Sequence, residues 1–246
     1  MSRSLRGSSL VELLCALALF TCLSLISMLA LRQVSRIWQR TSARDLAIRE
    51  LLKAEAVLNR DLVNAGKMAP QSAYGAVQAG AGSLPSGDGL ALILPSPDQE
   101  QLRLDAQGQP VMDRLVTYYL AVSTTLGPQT FGADAQNYED YCPFKWLVRK
   151  ERAAPPAAPG GLPAVPANWL KGSEIETPTS FWRQPDKRVV AGNLLQFRVL
   201  KGPPSWEITL TAVATADARR QLALGGVPLS PTKFAITHQV GVVAKN

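Results

Sequence analysis

Few side chains in this sequence could do chemistry, and their spacing decides of what kind. His238 is the only histidine. It stands in an alternating run near the C-terminus, the setting of a sheet-face residue rather than of a general base. Ser230 to Lys233 has S-x-x-K spacing, but that pair works on a helical turn, and Pro231 lies inside it beside Pro228. GAGSLP at 80–85 lacks the third glycine of a dinucleotide-binding turn and follows no predicted strand. No G-x-S-x-G elbow occurs. Cys15 and Cys22 lie in an apolar stretch, leaving Cys142 by itself, so neither a disulfide framework nor a zinc cluster can be assembled. Asp134, Glu139 and Asp140 gather with Tyr138 and Tyr141 in one polar segment. These acids are calcium candidates, although their spacing fits no EF-hand and a solvated loop is the simpler reading. No catalytic constellation emerges, so neither an enzymatic activity nor a cofactor is expected. The one remaining candidate is Glu12, a single acid at the lip of a long uncharged run.

That run is the element that must position it. Leu13 to Leu31 is 19 uncharged, mostly apolar residues, which as a helix span roughly 28 Å, about the hydrocarbon thickness of a bilayer. A carboxylate there costs roughly 2.5–3.5 kcal/mol at the membrane centre and less near the interface. Pairing with a cation makes it tolerable. The chain has 246 residues and a net charge of +7, with 26 basic against 19 acidic side chains. The surplus is concentrated: residues 32–67 carry eight basic and four acidic groups, and the 179 residues beyond them carry 16 and 14. A nucleic-acid-binding domain would present a basic globular face instead, so nucleic acid is not an expected partner. Arg32, Arg36, Arg40 and Arg44 follow the apolar run and outnumber Arg3 and Arg6 before it. The positive-inside rule by itself would therefore place the C-terminal part in the cytoplasm.

The N-terminus, MSRSLRG followed by SSLVELLCALALFTCLSLISMLAL, resembles the leader of type IV prepilins and type II secretion pseudopilins. The resemblance rests on a short basic leader ending in Gly7, a glutamate five residues further on, and an uncharged helix. It implies cleavage between Gly7 and Ser8 by a prepilin peptidase on the cytoplasmic side and methylation of Ser8. It also implies a filament-assembly role for Glu12, whose carboxylate would pair with the α-amino group of an adjacent subunit. Ser8 departs from the Phe usual in major pilins. The leader's processing requires a cytoplasmic N-terminus, so the resemblance places the C-terminal domain in the periplasm.

Downstream, residues 41–64 lack Pro and Gly, and Ala47, Leu51, Ala54, Leu58, Leu62 and Ala65 form one apolar face with charges on the outer faces. One helix is expected from about Ser8 to Ala65, roughly 85 Å long, with Gly66 as its stop. Its parts divide at residues 8–31, spanning the membrane, and 32–65, amphipathic. Residues 66–246 are expected to form a β-rich domain. Residues 66–89 read as loop, and strands are predicted at 90–94, 115–122, 144–148, 189–200, 206–213 and 233–243. Lys201 to Ser205, with paired prolines, reads as a hairpin turn. Residues 153–168 hold five prolines and read as an exposed, semi-extended loop. Trp169, Trp182 and Trp206 flank loops and could be either a partner surface or buried. LNRDLVNAG at 58–66, RLVTYYL at 114–120, WLVRKE at 146–151, VVAGNLLQFRVL at 189–200, WEITLTAV at 206–213 and the closing FAITHQVGVVAKN resemble successive elements of J-type minor pseudopilins and PilW-type minor pilins. The resemblance implies an α+β pilin-like fold, a long N-terminal helix on an antiparallel sheet. It also implies, as partners, other minor subunits and the major subunit of a type II secretion pseudopilus or a type IV pilus. The alternative is a signal-anchored periplasmic enzyme or binding module without a filament role.

Overall fold

A computed structural model describes residues 10–71, 86–95, 97–98, 101–121, 145–154, 165, 186–202, 205–213 and 235–243. The fold is α+β. Helix α1 (Leu10–Val63) opens the described chain. Ten strands follow: β1 (Lys67–Gln71), β2 (Ser86–Gly87), β3 (Gly89–Pro95), β4 (Pro97–Asp98), β5 (Gln101–Leu102), β6 (Met112–Ala121), β7 (Lys145–Ala153), β8 (Lys187–Lys201), β9 (Ser205–Val213) and β10 (Ala235–Val243). The chain divides into two compact units, Met1–Ser42 and Ala43–Asn246.

Within the first unit every described residue is helical and exposed. Leu10 and Phe20 show 76% and 68% of their surface. An apolar helix this bare is stable in water only if something else covers it.

The second unit is built around a seven-stranded antiparallel sheet in the order β1-β3-β6-β7-β8-β9-β10. From β6 onward each strand pairs with the next in sequence, an arrangement that needs only hairpin-type connections. The part of α1 in this unit packs across one face. Its buried residues are Ala43, Ala47, Leu51, Ala54, Leu58, Asp61 and Leu62, which repeat every three or four positions as a single face requires. They meet Leu90, Leu92 and Leu94 of β3, Val116, Tyr118 and Leu120 of β6, Leu147 of β7, Phe197 and Val199 of β8, and Ile208 and Leu210 of β9. The opposite sheet face is also buried along β3, β6 and β7, where Ala91, Ile93, Leu115, Tyr119, Ala121 and Val148 cluster. Both of these clusters hold Val165. The Pro/Ala-rich stretch, expected to be exposed, is therefore half-buried at this position, because its one β-branched side chain in reach of the sheet covers apolar surface.

The six predicted strands are all present, and the β8–β9 turn closes as a hairpin with the Gly202 N–H donating to the Ser205 carbonyl (2.9 Å). Strand β1 lies in the stretch read as loop. It pairs with β3 alone, at the sheet edge, where Pro70 removes no bond the sheet interior needs. The helix ends at Val63, two residues before the expected Ala65. Asn64 Nδ2 donates to the Arg60 carbonyl (2.8 Å), satisfying one of the open carbonyls of the last turn. Gly66 is not in the left-handed conformation of a helix-stop glycine. Its N–H donates to the Ile93 carbonyl (3.0 Å), and an added Cβ would stand 2.9 Å from Met112 Cε. That methyl ends a flexible side chain that is 40% exposed and can swing aside, so neither turn geometry nor close packing demands a glycine there.

Candidate functional site

Of the residues named from sequence, Glu12 occupies the first turn of α1, where a negative charge also favours the helix dipole. Cys15 and Cys22 are exposed on the same helix. Gly7, Ser8, Asp134, Glu139, Asp140, Cys142, Trp169, Trp182 and Ser230 to Lys233 lie outside the described residues. Trp206 is buried in the core, with Lys201 Nζ 5.6 Å from its ring centroid. His238 faces the helix, its Nε2 3.0 Å from Glu55 Oε2 but without the alignment of a hydrogen bond. It stands on β10, on the side of the sheet that packs against α1.

The structure adds a charge network centred on Asp61, a helix acid that the sequence reading put on an outer face. Asp61 falls inside the apolar stripe of α1 and is 3% exposed. Strand alternation brings Tyr118 and Arg149 to the same sheet face on adjacent strands, their backbones directly paired. The Tyr118 hydroxyl donates to Asp61 Oδ2 (2.5 Å), and Arg149 Nε donates to the same oxygen (2.7 Å). Arg60 covers Oδ1 at 3.1 Å. Arg149 reaches Glu151, whose other oxygen takes Arg114 Nη1 at 2.6 Å, and Arg114 Nε donates to the Pro95 carbonyl (2.9 Å). Burial opposes the charge on Asp61, but the Tyr118 hydroxyl and the Arg149 guanidinium outweigh it and hold the carboxyl below its ordinary value. Burial together with the Asp61 charge pushes the Tyr118 hydroxyl well up, so it stays a donor. Burial likewise opposes the charge on Glu151, and Arg149 and Arg114 overcome it. Every member is a charge or donor held by another, the condition under which a buried network rigidifies a fold. Part of the signal was in the sequence: Asp61 lies three positions after Leu58, within the buried arc, and a buried acid requires a cation. Arg149 lay just past the predicted strand at 144–148.

A second pair of charged side chains repairs a break in the sheet. Strand β8 pairs with β7 along its first half and with β9 along its second, and the register slips where the partners change. Asn193 sits there at φ 55°, left-handed backbone that asparagine tolerates better than most residues. Backbone groups freed by such a bulge need partners. The Gly192 N–H donates to Glu50 Oε2 of α1 (2.8 Å), and buried Lys145 Nζ donates to the Leu195 carbonyl (2.8 Å).

On the other sheet face Lys150 is fully buried with Nζ 5.1 Å from the Tyr119 ring centroid. Burial, and then the neighbouring Lys187 charge, pull its amine down to about 7 against the weaker opposing effect of Asp186. A lysine lowered in the folded state stays neutral there while the unfolded chain still binds a proton. Stability is therefore expected to rise with pH between about 7 and the unfolded value of 10.5. Lys150→Met is expected to raise stability near pH 7 by about 1–3 kcal/mol, with the gain shrinking toward pH 10. Thermal unfolding of the full chain in detergent across that range checks both the sign and the convergence.

These arrangements fix a helix to a sheet; among the described residues none places a nucleophile, a base and a substrate cavity together. The described part of α1 that carries Glu12 is exposed and apolar. No protein-family model, no curated protein and no solved structure matches this chain.

Proposed function

We propose that this chain is a minor pilin or pseudopilin. It is made as a membrane-inserted precursor, cut between Gly7 and Ser8 by a prepilin peptidase, and docked through its N-terminal helix into a filament. The observation that carries this reading is the first part of α1: a bare helix, uncharged from Leu13 to Leu31, whose only acid among residues 8–31 is Glu12, five residues beyond Gly7. The span suits a single membrane pass. In the bilayer the subunit would stand in the inner membrane, N-terminus cytoplasmic, with the β-rich domain in the periplasm. In the filament the same apolar surface would be covered by neighbouring helices, and Glu12 would choose the axial register by pairing with an α-amino group. The role is structural, in a tip or initiation complex of a type II secretion pseudopilus or a type IV pilus. The chain is the substrate of a peptidase and catalyses nothing.

The mass of the N-terminal peptide from protein in its native membrane tests the reading. A chain beginning at Ser8, methylated or not, is expected. A start at Met1 or Ser2 would make the chain a signal-anchored protein, and one near Ala30 a secreted protein; either would overturn the filament role.

A further inference from the structure

The two edges of the sheet differ. Strand β1 is five residues long and carries Lys67 and Pro70, residue types that discourage a further strand. Strand β10 is nine residues long and has no Lys, Arg, Asp, Glu or Pro from Ala235 to Val243. The nearest charges along the chain are Lys233 and Lys245, beyond its ends. It pairs residue for residue with β9, without a bulge, and no described strand pairs with its far side. We infer that the β10 edge receives one more strand: an extended segment of a partner chain, uncharged and apolar at alternate positions.

A straight edge of this length presents alternate backbone N–H and C=O groups over roughly 30 Å, and extended backbone is what matches such a row. Apolar surface lies beside it. His238 of β10 stands 3.0 Å from Glu55 of α1, so that flank of the helix borders the edge. Ile48 and Leu52 precede Glu55 by seven and three residues, which puts them on the same flank, and both are exposed, Leu52 at 54%. A strand added beyond β10 would set its helix-side residues against these two, as Val240 of β10 already lies in the core under the helix. Gly241 is the third observation. Nothing stands within 4 Å of where its Cβ would be, so packing within the described chain does not require a glycine. Glycine in a strand does let another backbone come close.

The geometry favours a different chain over a second copy. Antiparallel pairing of β10 with another β10 is two-fold symmetric and would turn the two helix segments at 43–63 in opposite directions. Subunits held in one membrane by the same end of α1 stand in the same sense. That choice of occupant rests on the membrane reading; the open edge does not.

The test is amide hydrogen exchange of the full chain in neutral detergent, with an excess of an uncharged nine-residue peptide that alternates valine and threonine. The β10 amides that face away from β9 are expected to slow by at least about tenfold when the peptide is added. A T237K/G241K variant places two charges on the edge at exposed positions. It is expected to lose the slowing while its melting temperature stays within about 3 °C. Leu52→Glu, on the helix flank, is expected to weaken the slowing without touching the sheet. No slowing, or slowing that survives both variants, would overturn the inference. A chain that dimerises in detergent with these amides already slow would give the edge to a second copy and overturn it too. The N-terminal peptide mass reads the filament role without reference to β10, so the two readings fail separately.

Discussion

Arg149→Met is expected to destabilise the folded protein by about 3–5 kcal/mol, the cost of leaving a buried charge without its cation. For a chain of this size that corresponds to a fall in melting temperature of roughly 6–20 °C. Asp61 would keep the Tyr118 hydroxyl and Arg60 but lose the guanidinium that shares its Oδ2. The pH dependence identifies the mechanism. In the unsubstituted protein the Asp61 carboxyl is lowered from 3.8, so its contribution is present above that pH and is lost as pH falls through the folded value. Without Arg149, burial dominates and raises the carboxyl, so protonation relieves the variant instead. The difference in melting temperature between the two proteins should therefore narrow on acidification toward pH 4. A constant difference would point to lost packing by the arginine stem. Asp61→Leu combined with Arg149→Met should recover part of the loss, because both partners of the pair are then gone.

Glu12→Ala is expected to leave cleavage after Gly7 intact and to reduce incorporation into filaments severely. On the proposed reading the carboxylate acts in assembly rather than in processing, because it is the one side-chain charge between Ser8 and Leu31 that could fix one helix against the next. Immunoblots of membrane and sheared-filament fractions, with the N-terminal peptide mass as the processing control, would decide. Equal incorporation of the variant would remove the pairing argument, and failure of cleavage would move Glu12 from assembly to processing. Glu12→Gln distinguishes charge from shape: it keeps the hydrogen-bonding carbonyl but loses the ion pair, so it should behave like the alanine variant.

The elements most legible in the sequence were those whose physics is local. A 3.6-residue apolar stripe gave Ala47, Leu51, Ala54, Leu58 and Leu62 as the buried face of α1. Runs of β-branched and aromatic residues placed all six long strands within a few residues of their ends, β7 excepted, which continues to Ala153 through charged positions. Those charges are why it was underestimated: Arg149, Lys150 and Glu151 look like the end of a strand until Asp61 and Tyr119 are beside them. Strand β1 was illegible because KMAPQ has neither alternation nor β-branching, and only pairing with β3 makes it extended. The charge network depends on contacts between residues 57 and 88 positions apart, distances at which spacing in the sequence says nothing about spacing in space. Glu12 stands out in the sequence because the residues after it are uncharged, and it lies in the first turn of α1; Gly7 and Ser8 lie outside the described residues.

The clasp between Glu50 and Gly192 also has a consequence for biosynthesis. The helix leaves the ribosome first, and the backbone amide that Glu50 accepts comes 142 residues later, roughly 7–28 s afterwards at about 5–20 residues per second. Arg149, the counter-ion of Asp61, follows 88 residues behind it. Through that interval the amphipathic half of α1 can meet β3 and β6 but not the whole sheet, because Phe197, Val199, Ile208 and Leu210 are still to come. Its stripe of Ala47, Leu51, Ala54 and Leu58 is then only partly covered, and it stays accessible to chaperones and proteases until β8 and β9 complete the sheet.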